Sequence, residues 1–302
     1  MKAAIHKTTM RILLTGKHGQ LGWELHRQLE RDYEVIAVDR EDIDLLDSRF
    51  LASVIRRLPK LGLIVNAASY TDIEQAERRP FIAEAINSEA AAVLAMEADF
   101  RGIPMIHFST DYVFDGRRRK IPYRESDTPN PVSVYGWSKL EGEKRVQSIA
   151  EKHLIFRISS QYGTRRKNFF TGLLNHQDKA SRVADDQFIS PNWTPLTAEA
   201  VAEMVKRLGQ GEAFPWGVYH LSGGGSTTWY EFARLISEKI SDWWGGSMPL
   251  PIPVSLAKFK TVAKRPKYSV LDPTHFNNTF QIALPDWREQ FLRFFGGLQP
   301  NL

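Results

Sequence analysis

The chain is predicted to fold as an α/β protein built on a doubly wound parallel sheet, with a smaller α/β part following it. Three observations predict this. Short apolar runs of strand length alternate with amphipathic helical stretches through the first half. The first run, MRILLTG at 10–16, ends on glycine and passes directly into GQLGWELHRQLERD, which carries Leu21, Leu25 and Leu29 at helical spacing. The composition, 42% hydrophobic and 25% charged over 302 residues, is that of a globule large enough to cover both faces of such a sheet.

After the first strand and helix, YEVIAVD (33–39) reads as a second strand, LDSRFLASVIRRL as a helix and LGLIVNAA as a third strand. A long helix over about 80–100 follows, then a strand at IPMIHFST (103–110), a loop, a helix opening at YGWSK and a strand at HLIFRIS (153–159). Beyond about residue 160 the alternation loosens. VYHLSGGGSTTWYEFARLISEKI reads as a strand, a glycine turn and a helix with Ser226 and Thr227 as candidate N-caps. SMPLPIPV is broken by proline and suits neither a central strand nor a helix interior. A short helix is expected around DWREQFLRFF, and residues 1–9 read as a loose extension.

The bulk numbers exclude several chemistries. With zero cysteines there is no disulfide, thiol nucleophile or thiolate metal site. The eight histidines are scattered and form no H-x-x-x-H pair, so no residue is assigned to a metal. No apolar run is long enough to span a bilayer, and MKAAIHKTT lacks the apolar core of a signal peptide; the expectation is a cytoplasmic protein with no membrane partner. The formal charge of +5 is concentrated partly in RRRK at 117–120 and TRRK at 164–167, which could hold phosphate. No nucleic-acid motif accompanies them, and no nucleic-acid partner is expected.

Between the first strand and first helix lies T-G-K-H-G-Q-L-G, a G-x-x-G-x-x-G spacing at Gly16, Gly19 and Gly22. In that context glycines permit a tight turn and close backbone approach to a pyrophosphate, whose charge the helix N-terminus attracts. Asp39 ends the second strand some 20 residues on, where an acidic residue bonds ribose hydroxyls. Arg40 follows it and would meet a 2′-phosphate, so NAD and NADP both stay open.

Tyr135 and Lys139 stand four apart in VYGWSKLEGEK, about 400° around a helix, and so share one face. With a nicotinamide bound, carbonyl reduction needs a proton donor; a nearby lysine cation favours the phenolate and lowers the tyrosine pKa. Thr110, at the end of the strand that leads into STDYVFDG, is where a hydroxyl for the carbonyl oxygen would come from.

T-G-x-x-G-x-x-G, the Asn66-Ala67-Ala68 segment and Y-x-x-x-K together resemble the extended short-chain dehydrogenase/reductase superfamily. STDYVFDG, PYRESDTPNPVSVYGWSKLEGE, the DDQ of 185–187, GVYHLSGGGSTTWYEFA and KRPKYSVLD are similar, more narrowly, to the dTDP-4-dehydrorhamnose reductase family, over about residues 10–290. The resemblance implies a Rossmann domain over 10–160, completed by parts of 180–222, and a mainly substrate-binding domain over 161–302. It implies NAD(P)H reduction of a 4-keto-6-deoxysugar nucleotide. Carried onto this chain, it places Gly19, Gln20 and Leu21 at the pyrophosphate and Asp39 at the ribose. Asp44 and Leu45 fall on the adenine side, and Ala67, Ser69, Tyr70 and Thr71 beside the cofactor. Thr110, Tyr135 and Lys139 form the catalytic set, with Asp111 next to the sugar. It further allows Mg²⁺ bound by acidic residues, and a homodimer. One departure bears on the substrate: Ser160, in R-I-S-S-Q-Y-G, occupies the place of a family tryptophan that packs on the sugar, and ISPN at 189–192 replaces GSPT. Two other readings therefore stand beside the first: a reductase of a different nucleotide sugar, and a non-catalytic regulatory subunit resembling the β subunit of methionine adenosyltransferase.

Overall fold

A computed structural model describes residues 10–117, 120–175, 179–244 and 248–298. The expected extension over 1–9 and part of the RRRK cluster lie outside the described residues.

Six parallel strands form the central sheet: β1 (Arg11–Thr15), β2 (Glu34–Val38), β3 (Leu63–Asn66), β4 (Met105–Thr110), β5 (His153–Ile158) and, much later in the chain, β10 (Gly217–Leu221). Their order is β10-β5-β4-β3-β1-β2. Because β1 has β2 on one side and β3 on the other, the strand order reverses there, and a crevice opens at the carboxyl ends of β1 and β3. Alternate residues of each strand enter opposite cores. Ile12, Leu14, Val65 and Ile106 pack with α1 (Gln20–Leu29) and α8 (Thr194–Gly209). Leu13, Ile64, Met105 and Ile155 pack on the other face with α2 (Ser48–Arg57) and α5 (Ala90–Phe100). Burial on both faces is why these strands read as continuous apolar runs.

The segment expected as one helix over 80–100 is three. After α3 (Ile73–Arg78), which the sequence pattern does not announce, α4 (Pro80–Glu84) runs into a π-helical turn (Ala85–Glu89) before α5. The cause is local: the wide turn presents the buried side chain of Asn87 to the Tyr70 loop and to α6 (Val134–Ile149). α6 is capped by Ser133, whose hydroxyl accepts from Gly136 N at 3.2 Å, and this fixes where the Tyr135 turn begins.

After β5 come α7 (Phe169–Leu174), α9 (Trp229–Trp244), α10 (Thr274–Phe280), α11 (Trp287–Leu298) and short strand pairs. The pairs join β6 (Gln161–Tyr162) to β9 (Asn192–Trp193), β7 (Arg182–Ala184) to β12 (Ile252–Val254), and β8 (Phe188–Ile189) to β11 (Thr227–Thr228). Of the three prolines of SMPLPIPV, Pro253 lies in β12, which among the described residues pairs with β7 alone, as proline requires. An aromatic core of Tyr162, Phe170, Phe232, Phe291 and Phe294 binds α7, α9 and α11 together. The cap of α9 is neither Ser226 nor Thr227. Thr227 and Thr228 are drawn into β11, and the Thr228 hydroxyl accepts from Glu231 N at 3.1 Å.

Gly142 lets α6 lie against the π turn: a methyl group there would stand 2.2 Å from the Asn87 carbonyl oxygen. Gly296 in α11 has open space around its Cα. Gly142→Ala should therefore destabilise by about 1–3 kcal/mol although alanine is the better helix former. Gly296→Ala should stabilise by about 0.5 kcal/mol. Thermal unfolding followed by circular dichroism should show the two shifts with opposite sign; a raised Tm for Gly142→Ala would contradict the packing.

Candidate active site

The glycine loop is folded back on the sheet. Gly16 has φ of +78°, and a Cβ there would stand 2.7 Å from Ala68 N; one on Gly22 would stand 2.0 Å from Gly16 O. Only glycine fits either place. Gly16 N and Lys17 N donate to Val38 O at 2.8 and 3.2 Å, which holds the loop over the end of β2. Gly19 is the N-cap of α1 and has no side chain to cap the first turn, so the N–H groups of that turn face the crevice mouth as an anion cradle. Asp39 stands at the same mouth, its carboxylate accepting from His18 N at 2.9 Å and from Arg40 N at 2.8 Å. Asp44 accepts from Leu46 N at 2.9 Å, and Leu45 packs partly into the α2 core. Backbone N–H groups and a carboxylate of this kind have the chemistry to hold a pyrophosphate and a ribose.

Gln20 turns away to the C-terminal segment: its amide donates to Thr194 Oγ1 at 2.6 Å and accepts from Asn168 at 3.0 Å. Leu21 is buried against α8. The basic TRRK cluster also folds onto this loop. Arg166 donates to His18 O at 2.7 Å, and the Arg165 guanidinium lies 4.1 Å from the Trp23 ring centroid.

Across the crevice, Asn87 ties two chain segments together. Its side-chain Oδ1 accepts from Ser69 Oγ (2.9 Å) and Tyr70 N (2.8 Å), and its Nδ2 donates to Tyr70 O (3.1 Å) and Ser138 Oγ (2.9 Å). Ser138 in turn donates to Tyr135 O at 2.9 Å. The Ser69-Tyr70 loop is thereby fixed to the helix of Tyr135 and Lys139, while Thr71 is exposed. Sequence reasoning passes over Asn87; its one signal is a polar residue inside an apolar helical stretch.

Thr110, Asp111, Tyr112 and Tyr135 meet at the end of β4. Thr110 Oγ1 donates to Asp111 Oδ1 at 3.1 Å and also interacts with the Tyr135 phenol. The rings of Tyr112 and Tyr135 meet edge to face at 5.9 Å. Lys139 is buried at 2% exposure, and desolvation pulls its pKa down to about 8 against the opposing pull of Glu143. Burial pushes the Tyr135 phenol up from its ordinary value, with Thr110 acting in the opposite direction. From sequence the lysine is expected to lower the phenol; in the structure Lys139 is not among the groups acting on it, and desolvation of the ring raises it. At neutral pH the site thus presents a neutral phenol beside an ammonium that titrates near neutrality.

Asp111, 3% exposed, is pushed up to about 6 by burial, with the Thr110 and Ser159 hydroxyls pulling the other way. It is Ser159 Oγ that reaches Asp111, at 3.4 Å. Ser160 is half-buried, and its backbone carbonyl accepts from Asn192 N at 2.8 Å. The rim of the site is closed by the KRP segment. Glu74 accepts from Val262 N at 2.9 Å and Arg265 at 3.2 Å, and Gln187 donates to Pro266 O at 3.2 Å and Tyr112 Oη at 3.5 Å. Among the described residues no group of three or more His, Asp or Glu side chains is gathered to hold a metal ion, so the Mg²⁺ allowed by resemblance has no such seat. No helix among them is long and apolar enough to cross a membrane.

The raised Asp111 pKa has a stability consequence. A carboxyl whose folded pKa exceeds its unfolded one favours the fold below pH 4, and that contribution is lost as pH rises through about 6. Asp111→Asn should therefore gain stability relative to wild type as pH increases from 4 to 8, by up to about 3 kcal/mol. Urea unfolding at the two pH values measures it, and an equal difference at both would contradict the burial.

Residues 10–299 match the family described as RmlD substrate binding domain. The dTDP-4-dehydrorhamnose reductase of Burkholderia thailandensis is 37% identical over 291 residues, 92% of this chain and 96% of that one. The protein of the same name from Escherichia coli K12 is 36% identical over 289 residues, 92% and 95% of the two chains. The crystal structure of the Bacillus anthracis dTDP-4-dehydrorhamnose reductase in complex with NADP superposes with a TM-score of 0.84 at 30% identity, over 96% of this chain and 99% of that one. That of Clostridium acetobutylicum gives 0.85 at 32% identity, over 96% and 100%. By sequence and by fold, the chain belongs to the RmlD family, the dTDP-4-dehydrorhamnose reductases.

Proposed function

We propose that the protein reduces the 4-keto group of dTDP-4-dehydro-L-rhamnose to give dTDP-L-rhamnose, using NADPH or NADH. The observation that carries this reading is Thr110 in hydrogen-bonding reach of the Tyr135 phenol at the end of β4, with Lys139 buried one helical turn along α6 and the glycine loop at the carboxyl end of β1 in the same sheet. The relatives' names and the NADP in the Bacillus anthracis structure support it. We assign Gly16, Gly19, Gln20, Leu21 and Gly22 to the pyrophosphate, Asp39 to the ribose, and Asp44 and Leu45 to the adenine side. Ala67, Ser69, Tyr70 and Thr71 border the nicotinamide half. A bound reduced nicotinamide supplies hydride to the carbonyl carbon.

The chain's own residues do the rest. Thr110 and Tyr135 hydrogen-bond the carbonyl oxygen, and the neutral phenol gives its proton to the developing alkoxide. Lys139, charged below about pH 8, holds the ribose and stabilises the phenolate that remains. Its low exposure excludes water that would weaken this field. Asp111 and Ser160 border the sugar, and residues 161–302 form most of the nucleotide-sugar side. A second reading, reduction of another nucleotide sugar, is favoured by the half-buried Ser160 where the resemblance expects a large aromatic ring. A regulatory subunit has no chemical need of a buried lysine beside a phenol.

Loss of reduced-nicotinamide absorbance, with dTDP-4-dehydro-L-rhamnose generated in place, tests the reading with each cofactor; cofactor binding without oxidation would send the substrate search elsewhere. Tyr135→Phe should lower kcat by about 10²–10⁴ with cofactor affinity kept, and near wild-type turnover would remove its role as proton donor. Lys139→Ala should damage both turnover and cofactor affinity, and wild-type kcat should fall as pH rises through about 8, where the cation is lost. A flat profile from pH 7 to 10 would contradict that assignment. Asp39→Ala should weaken NADH more than NADPH in fluorescence titrations, because Arg40 remains to meet the 2′-phosphate; equal and unchanged affinities would leave Asp39 a loop anchor only.

A further inference from the structure

The sheet face beneath α6 changes character at one level. Below it lie Leu13, Ile64 and Met105, all apolar, and Ile155 on β5 stands beside the level itself. One pleat higher, Thr15, Asn66 and His107 sit side by side on β1, β3 and β4, paired in register and exposed by 1%, 2% and 0%. Three polar side chains in the middle of a sheet core are costly unless they satisfy one another. They do so in a fixed direction. Thr15 Oγ1 donates to Asn66 Oδ1 at 2.7 Å, so the Asn66 amide nitrogen faces His107 Nδ1, at 3.0 Å. That nitrogen can only donate; Nδ1 must accept, and the neutral ring carries its proton on Nε2.

Nε2 has no hydrogen-bond partner among the described residues. It stands 3.6 Å from where a Cβ on Gly142 would be, and that same point is 2.2 Å from the Asn87 carbonyl oxygen. The row therefore starts beside Gly16 of the cofactor cradle and ends against α6, three residues from Lys139. The charged group that acts on His107 is Lys139 from α6; Glu143 of α6 and Arg157 of β5 pair with each other at 2.7 Å. β1 and β3 contribute only the neutral Thr15 and Asn66. Burial and the Lys139 charge both keep the imidazole neutral.

We propose that His107 is a positioning residue, the inner end of a Thr15–Asn66–His107 row that couples the placement of the cofactor loop to the placement of Lys139 on α6. The kinetic part rests on the keto-reduction reading above; the cofactor-binding part does not. Nothing in the proposed chemistry uses the imidazole directly, and a packing role alone would be filled by an apolar residue of similar volume.

The test is NADPH fluorescence titration from pH 7 to 10, with kcat measured in parallel, on wild type and three variants. In His107→Leu the pH at which NADPH affinity falls should move by half a unit or more, and kcat should drop at least tenfold. His107→Gln, whose side-chain oxygen can still accept from the Asn66 amide, should remain within twofold in kcat and hold the wild-type midpoint. Thr15→Val, which leaves the ring in place but frees Asn66, should move the midpoint in the same direction as His107→Leu by a smaller amount. A wild-type midpoint in Thr15→Val, or equal shifts in the leucine and glutamine variants, would overturn the proposal. If His107→Leu does not fold, Thr15→Val decides it. If wild type binds NADPH but leaves the keto-sugar untouched, the functional reading fails while the midpoints still judge His107.

Discussion

Burial of the Lys139 ammonium is the constraint on which the rest of the site depends. Taking an ammonium out of water costs several kcal/mol, and the fold surrounds this one with features that make the position tolerable. Glu143, one turn along α6, supplies negative charge and is itself held by Arg157 through a buried bidentate pair. Gly136 and Gly142 let α6 approach Tyr112 and the π turn closely enough to close off solvent. The same burial that lowers Lys139 raises Tyr135, so one physical cause sets a neutral phenol and a titratable cation a helical turn apart.

The cofactor side follows from a different economy. Its cradle is built from backbone, with glycines where a side chain would collide and an uncapped helix start. Such a site is encoded in consecutive residues, and this is why the glycine loop and its strand and helix can be read from T-G-K-H-G-Q-L-G alone. Tyr135 and Lys139 are legible for the same reason, since a helix maps a spacing of four onto a shared face.

Interactions that cross the fold leave no such mark. Asn87 reaches Tyr70 and Ser138, 17 and 51 residues away, and the π turn that aims it is invisible in a stretch that otherwise reads as one apolar helix. Glu74 and Arg265 meet across 191 residues to close the rim. The direction of the Tyr135 shift was also beyond spacing arguments, because desolvation is a property of the folded surroundings, whereas a neighbouring charge can be guessed from sequence. The short strands after β5 are two or three residues long and carry too little periodicity to be read. Family membership rests on similarity along nearly the whole chain, but function resides in the site.

The central claim is that this crevice delivers hydride to a sugar carbonyl while the chain supplies the proton. The most direct measurement is transfer of label from NADPH deuterated at the nicotinamide C4 position, with dTDP-4-dehydro-L-rhamnose as acceptor and the product examined by NMR. The account predicts deuterium at sugar C4 when the transferred face is labelled, and a solvent-derived proton on the new hydroxyl. Reduced cofactor consumed without deuterium at that carbon, or no consumption at all, would contradict it.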